Sequence, residues 1–346
     1  MKVLVTGASG FLGGHLADGA VRAGHDVRVL VRRSSDITRL RVPGLELVYG
    51  DLADEESLRR AVQGVDVVHH SAARVVEFGT RAQFWEANVA GTERLMAAAR
   101  AGGVSRFVFI SSPSALMEVG QGDRLGINET TPYPQRYYNL YSQTKALAEQ
   151  LVLTGNAPGF TTVSLRPRGI WGPRDHSGFL PRLVAKMVAG KLPDMSGGRR
   201  VQVSLCHCYN AVAACLLAAN APAEQIAGKA YFIADRETTD VRAFLLRLAA
   251  LFGGQPPTRT ISPRLSDALA GAIELIWRVP ALAAGKEPPL SRYTVALLTR
   301  SATYDTSAAT RDFGYAPVID QDSGLHQLLA WVESIGGTQE FLRTVR

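Results

Sequence analysis

Three glycines near the start of the chain, Gly7, Gly10 and Gly13, restrict its fold more than any other feature. They follow a β-branched run at 2–6 and open a helical pattern over 10–23. Glycines in the order G-x-x-G-x-x-G between a strand and a helix make a phosphate-binding turn. Gly7 suits the tight turn, Gly10 lets backbone amides approach a pyrophosphate, and Gly13 lets helix and strand close together. The helix start adds partial positive charge. The loop residues expected to hold a dinucleotide are Gly7, Ser9, Gly10, Phe11, Leu12 and Gly13.

The pattern continues as apolar strands at 27–31, 45–49, 66–69, 106–110 and 162–166. Helical segments at 54–63, 83–100 and 138–153 alternate with them. Such alternation predicts an α/β fold, a Rossmann-type doubly wound parallel sheet with its ligand at the carboxyl ends of the strands. Past residue 175 helices dominate, at 178–188, 209–219, 239–252, 265–277 and 291–298, with a strand near 231–234. Residues 1–175 are therefore expected to form the dinucleotide-binding domain. Residues 176–346 are expected to form a smaller, mainly helical substrate lobe, with some segments returning to the sheet.

The 38 basic and 31 acidic residues give a net charge of +7. The basic residues are scattered, where a nucleic-acid face would cluster them, so no nucleic-acid partner is expected. A diffuse positive field suits a phosphate-rich cofactor or an acidic substrate. Cys206, Cys208 and Cys215 are an odd count, which fits a reducing compartment. Cys206-His207-Cys208 has no second ligand pair, so no metal is expected. The first residues lack a leader pattern, and no stretch reaches the ~18 apolar residues of a membrane span. The expected location is the cytoplasm.

The end of the second strand reads Val31-Arg32-Arg33-Ser34. It lacks the carboxylate that would bind an NAD ribose, and Arg32 or Arg33 can meet a 2′-phosphate. This favours NADP(H), while Asp36 keeps NAD(H) open. Asp51-Leu52 falls where an adenine edge would lie, and Asp54 reads as a helix N-cap. Ser71, Ala72 and Ala73 form a small-residue turn that admits the cofactor.

Tyr141 and Lys145 stand four apart in a helical segment, hence on one face. An ammonium beside a phenol is expected to lower the phenol's pKa and fit it for proton transfer at a carbonyl. Ser111-Ser112 closes the strand at 106–110, and a hydroxyl there can hold the substrate oxygen. The expected catalytic residues are Ser112, Tyr141 and Lys145.

The glycine loop, Asp51-Leu52, Asn88-Val89-Ala90-Gly91-Thr92, Ser111-Ser112, Tyr141/Lys145 and Arg166-Pro167 stand in an order that resembles the extended short-chain dehydrogenases, nearly end to end. Ser111-Ser112-Pro113-Ser114, the segment 166–173 and the run from Glu287 to Tyr293 are similar to the 3β-hydroxysteroid dehydrogenase branch, in particular to its bacterial 2-alkyl-3-oxoalkanoate reductases of long-chain olefin biosynthesis. The resemblance implies that Ser112 assists the carbonyl, Tyr141 is the acid–base, and Lys145 also holds the nicotinamide ribose. It places Asn88 beside the site and Pro167 beside the nicotinamide. It also implies a homodimer through the helices at 83–100 and 138–153. The branch commonly has Asp-Asn where this chain has Tyr209-Asn210.

The expected activity is NADPH-dependent reduction of a hydrophobic ketone, a 2-alkyl-3-oxoalkanoate or a 3-oxo (3β-hydroxy) steroid. The alternative is an NAD-dependent sugar-nucleotide epimerase or dehydratase, with Lys186, Lys191, Arg199 and Arg200 for a diphosphate. A dinucleotide-sensing regulator would have no use for the Tyr–Lys pair. Leu265, Leu269, Ile273 and Ile276 recur at helical spacing. They suit core packing, a lid over an apolar substrate, or contact with a membrane surface between Arg264 and Arg278.

Overall fold

The computed structural model describes residues 1–176, 178–257, 259–277 and 288–345. Arg278 and Glu287 lie outside them. Seven parallel strands form the main sheet: β1 (Lys2–Thr6), β2 (Asp26–Val31), β3 (Leu45–Tyr49), β4 (Val67–His70), β5 (Arg106–Ile110), β6 (Thr161–Pro167) and β7 (Lys229–Ile233). Their order is β7-β6-β5-β4-β1-β2-β3. The order reverses between β1 and β4, which opens a crevice at their carboxyl ends.

Helices cover both faces, so the strands read apolar on both sides. On one face α1 (Phe11–Arg22) lies on the sheet, and on the other α2 (Glu55–Val62), α3 (Gly91–Ala101) and α4 (Leu140–Thr154). Along β1, Val3 and Val5 join the core beneath α1, while Leu4 joins the core beneath α2 to α4. Asp54 caps α2 by accepting from the amides of Glu56 and Ser57. A buried network locks α4 to β6. Glu149 accepts from Arg166 (2.6 Å), Ser164 (2.7 Å) and Tyr133 (2.7 Å). Burial pushes the Glu149 carboxyl up, but Arg166 with its neighbours outweighs this and holds it below its ordinary value.

The later helices are α5 (Phe179–Val188), α6 (Cys208–Asn220), α7 (Val241–Phe252), α8 (Pro263–Trp277), α9 (Arg292–Thr299) and α10 (Gln321–Ser334). The chain does not divide neatly near residue 175. α6 packs beside α1, and the strand expected near 231–234 is β7, paired with β6. Leu180, Val184, Phe244, Leu248, Leu325 and Leu328 build a separate core from α5, α7 and α10. A small sheet in the order Thr239–Asp240, Gln202–Val203, Ala302–Tyr304, Arg124–Ile127 gathers segments far apart in sequence. No helix among the described residues is long and apolar enough to cross a membrane.

α8 corrects one sequence expectation. Leu265, Leu269 and Ile276 are exposed (53%, 46% and 48%), so the apolar stripe is not core packing. The helix buries its small residues, Ser266 and Ala270, with Ala270 against Met195 and Val295. Glu274 pairs with Arg292 at the start of α9 (2.9 Å). Periodicity identifies an apolar face; it does not say which face a small residue and an ion pair will draw inward.

Candidate active site

The glycine loop forms the mouth of the crevice. Gly7 has φ +74°, and a Cβ there would stand 2.7 Å from the amide nitrogen of Ala72. The loop after β1 and the turn after β4, Ser71-Ala72-Ala73, are therefore in contact through backbone. A Cβ on Gly13 would lie 2.2 Å from the Gly7 carbonyl oxygen. Gly10 precedes α1 without a side-chain cap, and among the described residues the amides of Phe11, Leu12 and Gly13 bond no carbonyl. Ser9 and Gly10 are exposed. Open amides at a helix start, with a backbone cradle behind them, fit a dinucleotide diphosphate.

Behind the cradle sits a buried chain of polar groups. His70 bonds Thr6 Oγ1 through Nδ1 (2.7 Å) and Thr92 Oγ1 through Nε2 (2.9 Å). Thr92 spends its proton on the Asn88 carbonyl (2.7 Å), so His70 Nε2 donates and Nδ1 accepts. Burial, with Lys145 nearby, pushes this histidine down to about 3 and keeps it neutral.

Asn88 lies in a π-helical turn, Trp85–Ala90, where the sequence suggests one unbroken α-helix. Its Oδ1 accepts from the Arg74 amide (2.7 Å), and its Nδ2 donates to Thr144 Oγ1 (3.0 Å). The π turn thus ties α3 to the residue before Lys145. Past the ends of β2 and β3, Asp51 Oδ1 accepts from the Ala53 amide (3.0 Å), Leu52 is half-buried, and Arg32 is exposed. Arg33 lies over the Tyr49 ring, 5.5 Å from its centre.

Ser112, Tyr141 and Lys145 come together at the carboxyl end of β5. Ser112 Oγ accepts from the Ser114 amide (3.2 Å) and the Ser114 hydroxyl (3.0 Å), and it lies close enough to the Tyr141 phenol to lower its pKa a little. With its lone pairs filled by Ser114, the Ser112 hydroxyl still has a proton to give to an oxygen in the cleft. Lys145 is buried; its Nζ donates to the Ile110 carbonyl (2.5 Å) and stands 4.6 Å from the centre of the Phe109 ring. Pro167 ends β6 beside β5 and is buried.

A protein-family model described as the 3-beta hydroxysteroid dehydrogenase/isomerase family matches residues 4–264. The chain belongs to this family. It is 38% identical over 333 residues to a 2-alkyl-3-oxoalkanoate reductase of Stenotrophomonas maltophilia, covering 95% of this chain and 99% of that one. It is 31% identical over 349 residues to a 3-beta-hydroxysteroid dehydrogenase of Mycolicibacterium neoaurum, covering 97% and 93%. A solved structure of a double mutant of dTDP-glucose 4,6-dehydratase from Streptomyces venezuelae, with NAD bound, matches with TM-score 0.72. Its identity is 22%, over 96% of this chain and 97% of that one, and shows the fold alone.

As a member of the 3β-hydroxysteroid dehydrogenase family, the chain is an NAD(P)-dependent dehydrogenase or reductase. One electrostatic expectation needs correction. Burial pushes the Tyr141 phenol up, to about 12, and the nearby Ser112 hydroxyl only partly counters it. Burial also pushes Lys145 down, to about 7, with Glu149 opposing. Desolvation dominates the phenol, against the expectation that the ammonium would lower it. Three neighbours escaped the sequence: Thr144, Ser114 and Tyr293, which stands beside Ser114. Ser114 stood two residues from Ser112, and Tyr293 in the late run, but neither spacing reports a contact across the fold. At the departure Tyr209-Asn210, Asn210 donates to Asp235 Oδ1 (2.7 Å) and accepts from the Ile319 amide (2.9 Å), which binds α6 to the segment before α10.

Proposed function

We propose that this chain is an NADPH-dependent ketone reductase, with a hydrophobic 2-alkyl-3-oxoalkanoate as its substrate. The observation that carries the reading is the meeting of Ser112, Tyr141 and Lys145 at the carboxyl end of β5, with the phenol held protonated by burial. When bound, the reduced nicotinamide supplies the hydride. Tyr141 gives its proton to the carbonyl oxygen, and Ser112 donates its hydroxyl proton in a hydrogen bond to that same oxygen. Lys145, one helical turn on, favours the phenolate left behind in its ammonium form. Asn88 and Thr144 fix the helix that carries both. Gly7, Ser9, Gly10, Phe11, Leu12 and Gly13 cradle the diphosphate, Asp51 and Leu52 take the adenine end, and Ser71, Ala72, Ala73 and Pro167 line the nicotinamide side.

The preference for NADPH rests on Arg32, exposed and without a side-chain partner among the described residues. The substrate reading rests on the likeness to the reductase. It is also favoured over a sugar nucleotide because Arg199 and Arg200 are engaged with Asp123 and Asp240. We assign substrate binding mainly to residues beyond 175, and dimer formation to the groove of Met96, Ala97 and Leu151 between α3 and α4. The three free, buried thiols suit the cytoplasm.

The test is an absorbance assay pairing NADPH or NADH with 2-alkyl-3-oxo acids of increasing chain length and with 3-oxosteroids. Faster oxidation of NADPH, rising with chain length on the acids, is expected. No turnover, with dinucleotide released only on denaturation, would move the assignment to the epimerase.

A further inference from the structure

Arg168 follows β6 and is 8% exposed, yet among the described residues its side chain makes no hydrogen bond or ion pair. Its Nε is buried and unsatisfied. A guanidinium in that state destabilises a fold unless something else completes it. It lines a cavity of about 40 Å³ with Pro113, Tyr138, Tyr304, Arg124 and Arg300. On the same measure one water needs ~10–15 Å³, so a carboxylate fits. The other two guanidinium groups are engaged. Arg300 donates to the Gln121 carbonyl (2.7 Å) and the Tyr138 hydroxyl, and Arg124 to Gln121 Oε1 (3.1 Å) and Thr131 (3.2 Å). The one carboxylate on the wall, Glu118, accepts from Gln121 (3.4 Å).

The cavity adjoins the reacting groups. Pro113, next to Ser112, is part of its wall. Arg168 is near enough to Tyr293 for its charge to act on that phenol, Tyr293 stands beside Ser114, and Ser114 donates to Ser112. A 3-oxo acid carries its carboxylate two bonds from the ketone carbon. With the ketone oxygen between Tyr141 and Ser112, the carboxylate must lie close by.

We propose that Arg168 binds the carboxylate of a 3-oxo acid and so selects acids over their esters. The inference rests on the ketone-reductase reading. Its test compares a 2-alkyl-3-oxo acid with its methyl ester, in the wild type, Arg168→Met and Arg168→Lys. The wild type prefers the acid. Arg168→Met should cut the acid-to-ester ratio of kcat/KM by about 100-fold, as removing one partner of a buried charged pair does. Arg168→Lys should keep part of the ratio, as a point charge does. The ligand-free Arg168→Met protein should melt above the wild type, because an uncompensated buried charge is gone.

Equal losses on acid and ester with a lowered Tm would make Arg168 a packing residue and overturn the proposal. Loss of dinucleotide binding in Arg168→Met would give the group to the cofactor and also overturn it. If the wild type reduces neither compound, the reductase reading fails by itself. Calorimetry with 3-hydroxyhexadecanoate and its methyl ester then still decides on Arg168: a preference for the acid that Arg168→Met abolishes supports the site, and no preference refutes it.

Discussion

Replacing Lys145 by methionine should stabilise the cofactor-free protein at neutral pH, by an amount that shrinks as the pH rises. Lys145 is 3% exposed, and burial brings its pKa from 10.5 to about 7. Between those values the unfolded chain holds a proton that the folded chain has released. Raising the pH therefore favours the folded state across this window. At about 1.4 kcal/mol per pH unit, burial of this group costs on the order of 5 kcal/mol below pH 7. Methionine fills a similar volume but leaves the Ile110 carbonyl without its donor, which offsets about 1–3 kcal/mol. The variant should thus be a few kcal/mol more stable at pH 6. Its advantage should fall by about 1.4 kcal/mol per unit between pH 7 and 9. Urea unfolding followed by tryptophan fluorescence, at constant ionic strength, measures both curves. Taking the difference removes other titrating groups. A difference that does not change with pH would show that the folded state does not depress this lysine.

Tyr141→Phe should lower kcat by about 10²–10⁴ with dinucleotide binding unchanged, as read by rapid kinetics and fluorescence titration. Normal turnover would remove the tyrosine from the chemistry. Gly13→Ala drives a Cβ into the Gly7 carbonyl and should abolish dinucleotide affinity; retained affinity in titration would contradict the cradle. Glu149→Gln removes the partner of a buried Arg166 and should cost about 3–5 kcal/mol in denaturant unfolding. Because the Glu149 pKa is depressed, its contribution is present above the unfolded value of 4.5 and is lost as pH falls through the folded one, so the gap to the variant should close in acid. Arg32→Ala should reduce the kcat/KM preference for NADPH over NADH by about 10-fold, a factor that steady-state kinetics with both cofactors will test.

Local chemistry made much of this fold legible. The segments 2–6, 45–49 and 106–110 are strands with those same limits, because apolar residues between turn formers leave little choice. Gly7 to Gly13 and the pair Tyr141/Lys145 were legible because each works within one element. What escaped depends on distant neighbours. Strands of two or three residues at 202–203, 239–240 and 302–304 have no pattern of their own and exist only through pairing. The Ser112–Ser114–Tyr293 contacts join β5 to α9, and the isolation of Arg168 is a statement about what does not surround it. The rise of the Tyr141 pKa likewise belongs to its burial, which residue spacing does not carry.

The π turn at Trp85–Ala90 has a consequence for how such a chain tolerates change in length. A π turn takes up one residue more than the α-helical path requires. Deleting one residue there would restore a regular helix and leave composition almost untouched. It would leave the flanking turns in register but remove the wider turn that aims Asn88. Asn88 would then lose either Arg74 or Thr144, which now hold it from opposite sides. Its position is encoded by a count of residues rather than by their kinds. Conservative substitutions can accumulate around it, but a single in-frame deletion cannot pass.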